Sequence, residues 1–111
     1  MDYTHDRLKT GFWVQALVRQ CDLDGISVFV RRKGDPDAGA VLLIIDRLNG
    51  SQRILRQTRT LDGALAWSEA GTDALDDIPA YIERQVSFDP DLWVVDIEDP
   101  DGKFRTDAKV I

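Results

Sequence analysis

Sulfur and imidazole are nearly absent from this sequence, in which Cys21 is the one cysteine and His5 the one histidine. A single cysteine excludes an intramolecular disulfide, which small secreted domains usually need, and so favours a cytoplasmic location. The same scarcity excludes a zinc site built from cysteine and histidine. Nucleophilic catalysis has little support, because His5 lies near the N-terminus and Cys21 falls on the apolar face of the first predicted helix. We therefore expect no catalytic residues, no metal and no cofactor.

Long apolar runs are also missing. The longest, Ala40–Ile45, suits a buried strand but is far shorter than the roughly 20 residues that cross a bilayer. Residues Met1–Asp6 are polar and acidic, unlike a signal peptide. The sequence therefore predicts no membrane partner.

The formal charge is −6 and is unevenly distributed. Residues 1–60 carry ten Lys and Arg against seven Asp, whereas residues 61–111 carry four basic and thirteen acidic side chains. Net acidity argues against a nucleic-acid partner, which would need a dense basic surface. The asymmetry either marks an interaction surface or disappears when the two halves interleave on folding. We favour the second interpretation.

The length fits one domain, residues 1–111, with an ordered core of about 7–106. Apolar residues recur at helical spacing over Leu8–Asp22, where Thr10 or Asp6 could cap the start. A second helix is expected over Ile78–Ser87, with Pro79 in its first turn. Alternation and turn residues predict the strands, which are Ile26–Arg31, Ala40–Arg47, Gln52–Arg59, a short Ala64–Ala70 and Asp91–Glu98, with Lys103–Thr106 as a possible short return strand.

The predicted order is α-β-β-β-(β)-α-β, an α+β fold with a mostly antiparallel sheet packed against two helices. The arginines of Gln52–Arg59 suggest a protected edge strand. Ala40–Arg47 is apolar on both faces and should lie centrally. Two helices would cover one face well, so the other face predicts a homodimer. If the helices lie on opposite faces, a monomer is expected instead.

Three Asp-Pro-Asp tripeptides, at residues 35–37, 89–91 and 99–101, are the most repetitive feature of the chain. Aspartate followed by proline is typical of turns, because the carboxylate binds nearby backbone N–H groups and proline fixes φ. The alternative is a carboxylate cluster that binds Mg²⁺ or Ca²⁺. We favour turns. Around Gly102 a calcium-binding EF-hand loop is excluded, since Ala108 stands where the bidentate glutamate is required.

Basic side chains offer the best candidate binding surface. If the first three strands pair in sequence order, several of these side chains converge near one edge; the set is Arg31, Arg32, Lys33, Arg47, Arg53, Arg56 and Arg59. The alternative, which we favour, is protection of a sheet edge and pairing with the acidic half. The candidate binding residues are Arg31, Arg32, Lys33, Asp35 and Asp37. Cys21 and the three tryptophans fall in apolar patterns and are expected in the core.

The element order is similar to that of the PD-(D/E)xK nucleases, which place metal-binding acids and a lysine on the second and third strands. Here the second strand offers Asp46, but the third offers neither acid nor lysine. A literal match, Pro90-Asp91 with Asp101-Gly102-Lys103, crosses a glycine turn, and we attribute it to chance. A metal-dependent phosphodiesterase is the alternative function.

Four stretches together resemble a known family. They are the Arg7–Lys9 and Phe12–Val14 motifs, the long segment Arg31–Val41, the region around Trp67, and Asp89–Asp99. The resemblance is to the bacterial family known as domain of unknown function 1491, and it covers Arg7 to Gly102. It implies a cytoplasmic bacterial protein and a domain spanning the whole chain, and it implies no activity. The tail from Lys103 to Ile111 is less typical.

Taken together, the missing catalytic groups, the uneven charge and the doubly apolar strand predict a non-enzymatic interaction module. Its partner would be a second copy or another protein. The nuclease alternative requires three or more carboxylates to converge in the folded protein.

Overall fold

The computed structural model describes residues 9–111, and helices cover both faces of its single five-stranded sheet. His5 and the proposed cap Asp6 lie outside the described residues. The α+β class and the element order agree with the prediction, and α2 is an additional short helix. The elements are α1 Thr10–Leu23, β1 Ser27–Arg32, β2 Val41–Asp46, β3 Gln52–Arg59, β4 Leu65–Glu69, α2 Thr72–Asp76, α3 Ile78–Phe88 and β5 Trp93–Glu98.

The strand order is β1-β5-β2-β3-β4. Strands β1 and β5, β2 and β3, and β3 and β4 pair antiparallel, whereas β2 and β5 pair in parallel. The last strand in sequence is therefore inserted between the first two. The prediction that Gln52–Arg59 is an edge strand is wrong, since β3 lies between β2 and β4.

Two apolar layers cover the central pair of strands. On one side α1 packs with Trp13 and Val14 over Leu43 and Val95. On the other side α2 and α3 pack over residues of opposite parity, among them Leu42, Ile44 and Val94. Successive side chains of β2 and β5 therefore point alternately into the two layers.

Both faces of β2 are covered within one chain. All five residues of Val41–Ile45 are buried, with at most 4% of their surface exposed. The expectation that one sheet face stays open is therefore wrong. The helices lie on opposite faces, as the competing arrangement required. A dimer would therefore need a different surface.

The second long helix begins as its sequence predicts. The Asp77 carboxylate accepts a hydrogen bond from the Ala80 N–H at 3.1 Å, and Pro79 stands in the first turn. Both features suit a helix start, because the first N–H groups of a helix lack intrahelical partners.

The C-terminal residues pack on the sheet without forming the predicted strand over Lys103–Thr106. Instead, the N–H of Trp67 in β4 donates to the Lys109 carbonyl at 2.8 Å, and the Ile111 N–H donates to the Trp67 carbonyl at 2.7 Å. The middle of the outer edge of β4 is therefore paired by the tail. No helix within residues 9–111 combines the length and apolar character needed to cross a membrane.

Because both layers are closely packed, we expect that shortening a buried side chain of β2 lowers the free energy of unfolding on either face. Leu42→Ala and Leu43→Ala should each lower the free energy of unfolding by about 2–5 kcal/mol, since each leaves a cavity. Urea denaturation measures this. Leu61→Ala, at a fully exposed position, is the control and should change it by less than about 0.5 kcal/mol. A small effect at Leu42 alone would mean that the α2–α3 layer packs loosely.

Candidate interaction surface

Strand β1 forms one edge of the sheet, and among residues 9–111 its ladder partner is β5. The direction in which the backbone N–H and C=O groups of β1 point follows from the hydrogen bonds that β5 makes. The Trp93 N–H donates to the carbonyl of Ala40, which precedes β2, and the Asp99 N–H donates to that of Asp46, the last residue of β2. The odd-numbered residues of β5 therefore point their backbone groups towards β2. Even-numbered Asp96 and Glu98 therefore hydrogen-bond with β1. The backbone groups of Val28 and Val30 consequently point outward from the sheet.

Apolar side chains accompany this open edge. Phe29 is 56% exposed and Val30 is 42% exposed. Val28 and Val30 lie on the α1 face, since they stand opposite Ile97 and Val95 of the α1 layer. Phe29 lies on the other face, opposite Asp96. A bulge between Val30 and Arg32 then ends the regular pairing.

A groove of about 820 Å³ runs between α1 and β1. Val14 and Val18 of α1 form one wall, Val28 and Val30 of β1 form the other, and Trp93 contributes to the lining. The polar lining residues include Arg19, Asp22 and Lys33. We call the open edge Ser27–Val30 together with this groove the β1 edge surface. An apolar groove beside unpaired backbone groups is the arrangement that accepts an added strand.

The predicted basic binding residues follow the open edge, and two of them have internal partners. Arg31 makes a bidentate pair with Asp96 of β5, with both N–O distances at 2.8 Å. Arg32 donates from Nη1 to the Leu92 carbonyl at 2.7 Å. Lys33 has no ion-pair partner among the described residues and lines the groove. Of the three, Lys33 is best placed to meet a ligand.

The predicted acidic binding residues stand in a loop that is structural. Asp35 Oδ2 accepts hydrogen bonds from the Asp37 N–H at 3.2 Å and the Ala38 N–H at 2.8 Å, as in an Asx turn. Asp37 is exposed and lies 3.7 Å from Lys9 Nζ. Asp35 therefore shapes the loop, and a binding role for either carboxylate stays a prediction.

The same loop joins α1 to β5. The Trp93 indole donates to the Asp35 carbonyl at 2.8 Å, and the Asp35 N–H donates to the Asp91 carbonyl at 3.0 Å. At the other side, the Gly11 N–H donates to the Pro36 carbonyl at 2.8 Å. The α1 N-terminus thus gains a backbone partner in place of the side-chain cap predicted at Thr10.

Thr10 has a different role from the predicted cap. Its hydroxyl donates to the Gly39 carbonyl at 2.6 Å and so adds a second link between α1 and the loop. A Cβ on Gly34 or Gly39 would overlap the Asp91 carbonyl oxygen. Close approach of the backbone, required at both ends of the loop, explains these glycines.

The remaining arginines do not converge with Arg31–Lys33, and that prediction is wrong. Strands β5 and β2 separate β1 from β3, which carries Arg53, Arg56 and Arg59. Arg53 pairs with Glu69 of β4 at 2.9 and 3.1 Å. This hydrogen bond lowers the pKa of Glu69 and raises that of Arg53. The pairs Arg31–Asp96 and Arg53–Glu69 each join the basic half of the chain to the acidic half.

The Asp-Pro-Asp segments form turns. Asp89 accepts from the Asp91 N–H at 3.2 Å. Asp99 is buried, and its two carboxylate oxygens accept from the Lys103 and Phe104 N–H groups at 2.8 and 3.0 Å. Within residues 9–111, no three His, Cys, Asp or Glu side chains lie close enough together to hold a metal ion. The convergence required by the nuclease alternative is not found there.

Cys21 and the tryptophans lie in the core, as predicted. Cys21 is 3% exposed, and burial raises the pKa of its thiol, with smaller contributions from Asp24 and Asp99. Trp13 and Trp67 pack together with ring centroids 5.8 Å apart. Trp67 is fully buried.

The profile of a family described as a protein of unknown function (DUF1491) matches residues 8–106. The chain belongs to this family. No curated protein matches the chain.

Solved structures agree with the family assignment. The crystal structure of a DUF1491 family protein from Caulobacter crescentus CB15 superposes with a TM-score of 0.81 at 40% identity, over 94% of this chain and 99% of that one. An NMR structure of a DUF1491 family protein from the same organism gives a TM-score of 0.77 at 40% identity, over 94% and 96%. The solution structure of a protein from A. tumefaciens gives a TM-score of 0.68 at 29% identity, covering 83% and 86%.

Sequence reasoning missed the open edge of this DUF1491 protein. It assigned the edge to β3 on the basis of its arginines, whereas the exposed apolar pair Phe29 and Val30 stands in β1. A signal was present, since Phe29 interrupts the polar side of the alternating segment Ile26–Arg31.

The close packing of the loop at residues 34–39 predicts that substituting its glycines lowers stability more than substituting a glycine in open space. Gly34→Ala should lower the free energy of unfolding by about 3 kcal/mol or more, because the added methyl meets backbone atoms that cannot move aside easily. Gly71→Ala, at a position with open space and no positive φ, is the matched control and should cost less than about 1 kcal/mol. Thermal and urea unfolding measure both. Equal effects would show that the loop is not closely packed on β5.

Thiol burial predicts slow labelling. Cys21 should react with an aromatic disulfide reagent at pH 7 much more slowly in the native protein than in denaturant, because burial limits access and the raised pKa keeps the thiol protonated. Absorbance of the released thiolate follows the reaction. Complete labelling of the native protein within seconds would contradict the structure.

Proposed function

We propose that this protein is a non-enzymatic, cytoplasmic interaction module that binds a protein partner through the β1 edge surface. The observation that carries the proposal is the contrast between the two sheet edges. The tail pairs with the middle of β4, whereas Val28 and Val30 of β1 present backbone groups without a partner in residues 9–111. Such groups pair readily with a further strand.

Apolar exposure supports the same surface. The exposed side chains of Phe29 and Val30 belong to the same open segment, and the groove beside them has apolar walls on α1 and β1. Strand addition gains affinity from main-chain hydrogen bonds and specificity from pockets for alternate side chains. The β1 edge surface offers both open main-chain groups and an apolar groove for side chains.

The lone, buried Cys21 supports a cytoplasmic setting, since a reducing compartment does not require disulfides for stability. A buried thiol is also well protected from reaction.

Site-specific crosslinking in the native host tests the proposal. A benzophenone-bearing phenylalanine in place of Phe29 should yield crosslinked protein adducts on irradiation. The same residue in place of Phe88, which is exposed on α3, is the control and should yield few or none. Equal yields at the two positions, or none at Phe29, would contradict a partner at the β1 edge surface.

A further inference from the structure

We infer that the partner is a second copy of this chain, joined by antiparallel pairing of the two β1 strands about a two-fold axis at Phe29. This inference rests on the proposed function of the β1 edge surface. It names the occupant from the backbone directions, the side-chain pattern and the charge distribution along β1.

Backbone directions set the register. The outward-pointing groups belong to Val28 and Val30, with Phe29 between them. With the axis at Phe29, Val28 of each copy stands opposite Val30 of the other. Both members of each pair point their N–H and C=O groups across the gap, so each forms a closely spaced hydrogen-bonded pair. Four main-chain hydrogen bonds result, two on either side of the axis.

The side chains are self-complementary in the same register. Phe29 meets Phe29 of the other copy across a non-hydrogen-bonded pair, where Cα atoms approach to about 4.5 Å and side chains come closest. Val28 and Val30 meet on the α1 face. Aromatic and β-branched cross-strand pairs of this kind stabilise antiparallel ladders. The two residues left exposed at 56% and 42% in the single chain, Phe29 and Val30, are thereby covered.

Charge is polarised along the strand. Exposed Asp22 and Asp24 precede β1 at the end of α1, whereas Arg31, Arg32 and Lys33 follow the open edge. Antiparallel pairing places the basic end of each strand against the acidic end of the other. Lys33, which lacks an ion-pair partner among the described residues, would approach the C-terminal end of the other copy's α1. A cation is favourable there because of the helix dipole.

The bulge after Val30 limits the pairing to Ser27–Val30. A short open segment disfavours long strands from unrelated chains, while an isologous pair uses the same four residues twice. The axis stands perpendicular to the sheet, so the two α1 helices lie on the same face and their grooves meet at the seam. One continuous sheet then spans both copies.

Sedimentation equilibrium of the full chain tests the inference. The native protein should show a mass that rises towards twice the 12.5 kDa of the chain as concentration increases through the micromolar range. Phe29→Lys and Phe29→Glu should each raise the dissociation constant by more than about tenfold, because like charges meet at the axis. Phe88→Lys is the matched control and should leave it unchanged. An equimolar mixture of F29K and F29E should regain dimers, since opposite charges then meet.

The outcomes separate this inference from the proposed function. A mass near 12.5 kDa throughout the range overturns the second copy, while crosslinks from position 29 to a different protein would still uphold the interaction module. Dimerisation that survives F29K, or a mixture that fails to regain dimers while both variants melt as the native protein does, overturns the register at Phe29. Crosslinks absent at position 29 overturn both proposals.

Discussion

The parallel pair of β2 and β5 is the constraint on which the structure depends. Both strands carry apolar side chains on both faces of the sheet, so both faces must be covered along these strands. A parallel pair also needs a long crossover between its members. In this chain the crossover consists of β3, β4, α2 and α3, and its two helices cover the second apolar layer. The N-terminal helix α1 provides the first.

The loop at residues 34–39 connects these layers at one end of the sheet. Trp93 lies at the start of β5, inside the α1 layer, and its indole N–H reaches the backbone of the loop. The same loop supplies a carbonyl to the first turn of α1. Its glycines allow the backbone to approach β5 without side-chain overlap. Packing against β5 and α1 therefore explains the glycines and the backbone path of this loop.

Local signals predicted the elements well because the local sequence determines them. The boundaries of β3, the cap of α3 at Asp77 and the Asx turn at Asp35 depend on residues close in sequence. Strand order did not follow, because it depends on which faces must be buried. The arginines of β3 suggested an edge, yet Arg53 reaches Glu69 on β4 and Arg56 reaches Gln85 on α3. Long side chains can leave a central strand and still meet polar partners. The open edge of β1 was not predicted, although Lys33, one of the predicted binding residues, lines the groove beside it.

The tail leaves the two edges of the sheet unequally open to pairing with a further strand. While Lys109 and Ile111 bind Trp67, β4 cannot readily accept another strand at its centre, so the dimer proposed through β1 would leave no equally open edge for further pairing. A chain shortened before residue 109 would present two accessible edges of unlike sequence. Contacts between unlike edges can repeat from copy to copy and, where they do not close into a ring, they propagate into open-ended sheets. In this protein, residues 109–111 therefore cover the centre of the β4 edge and oppose pairing with a further strand there.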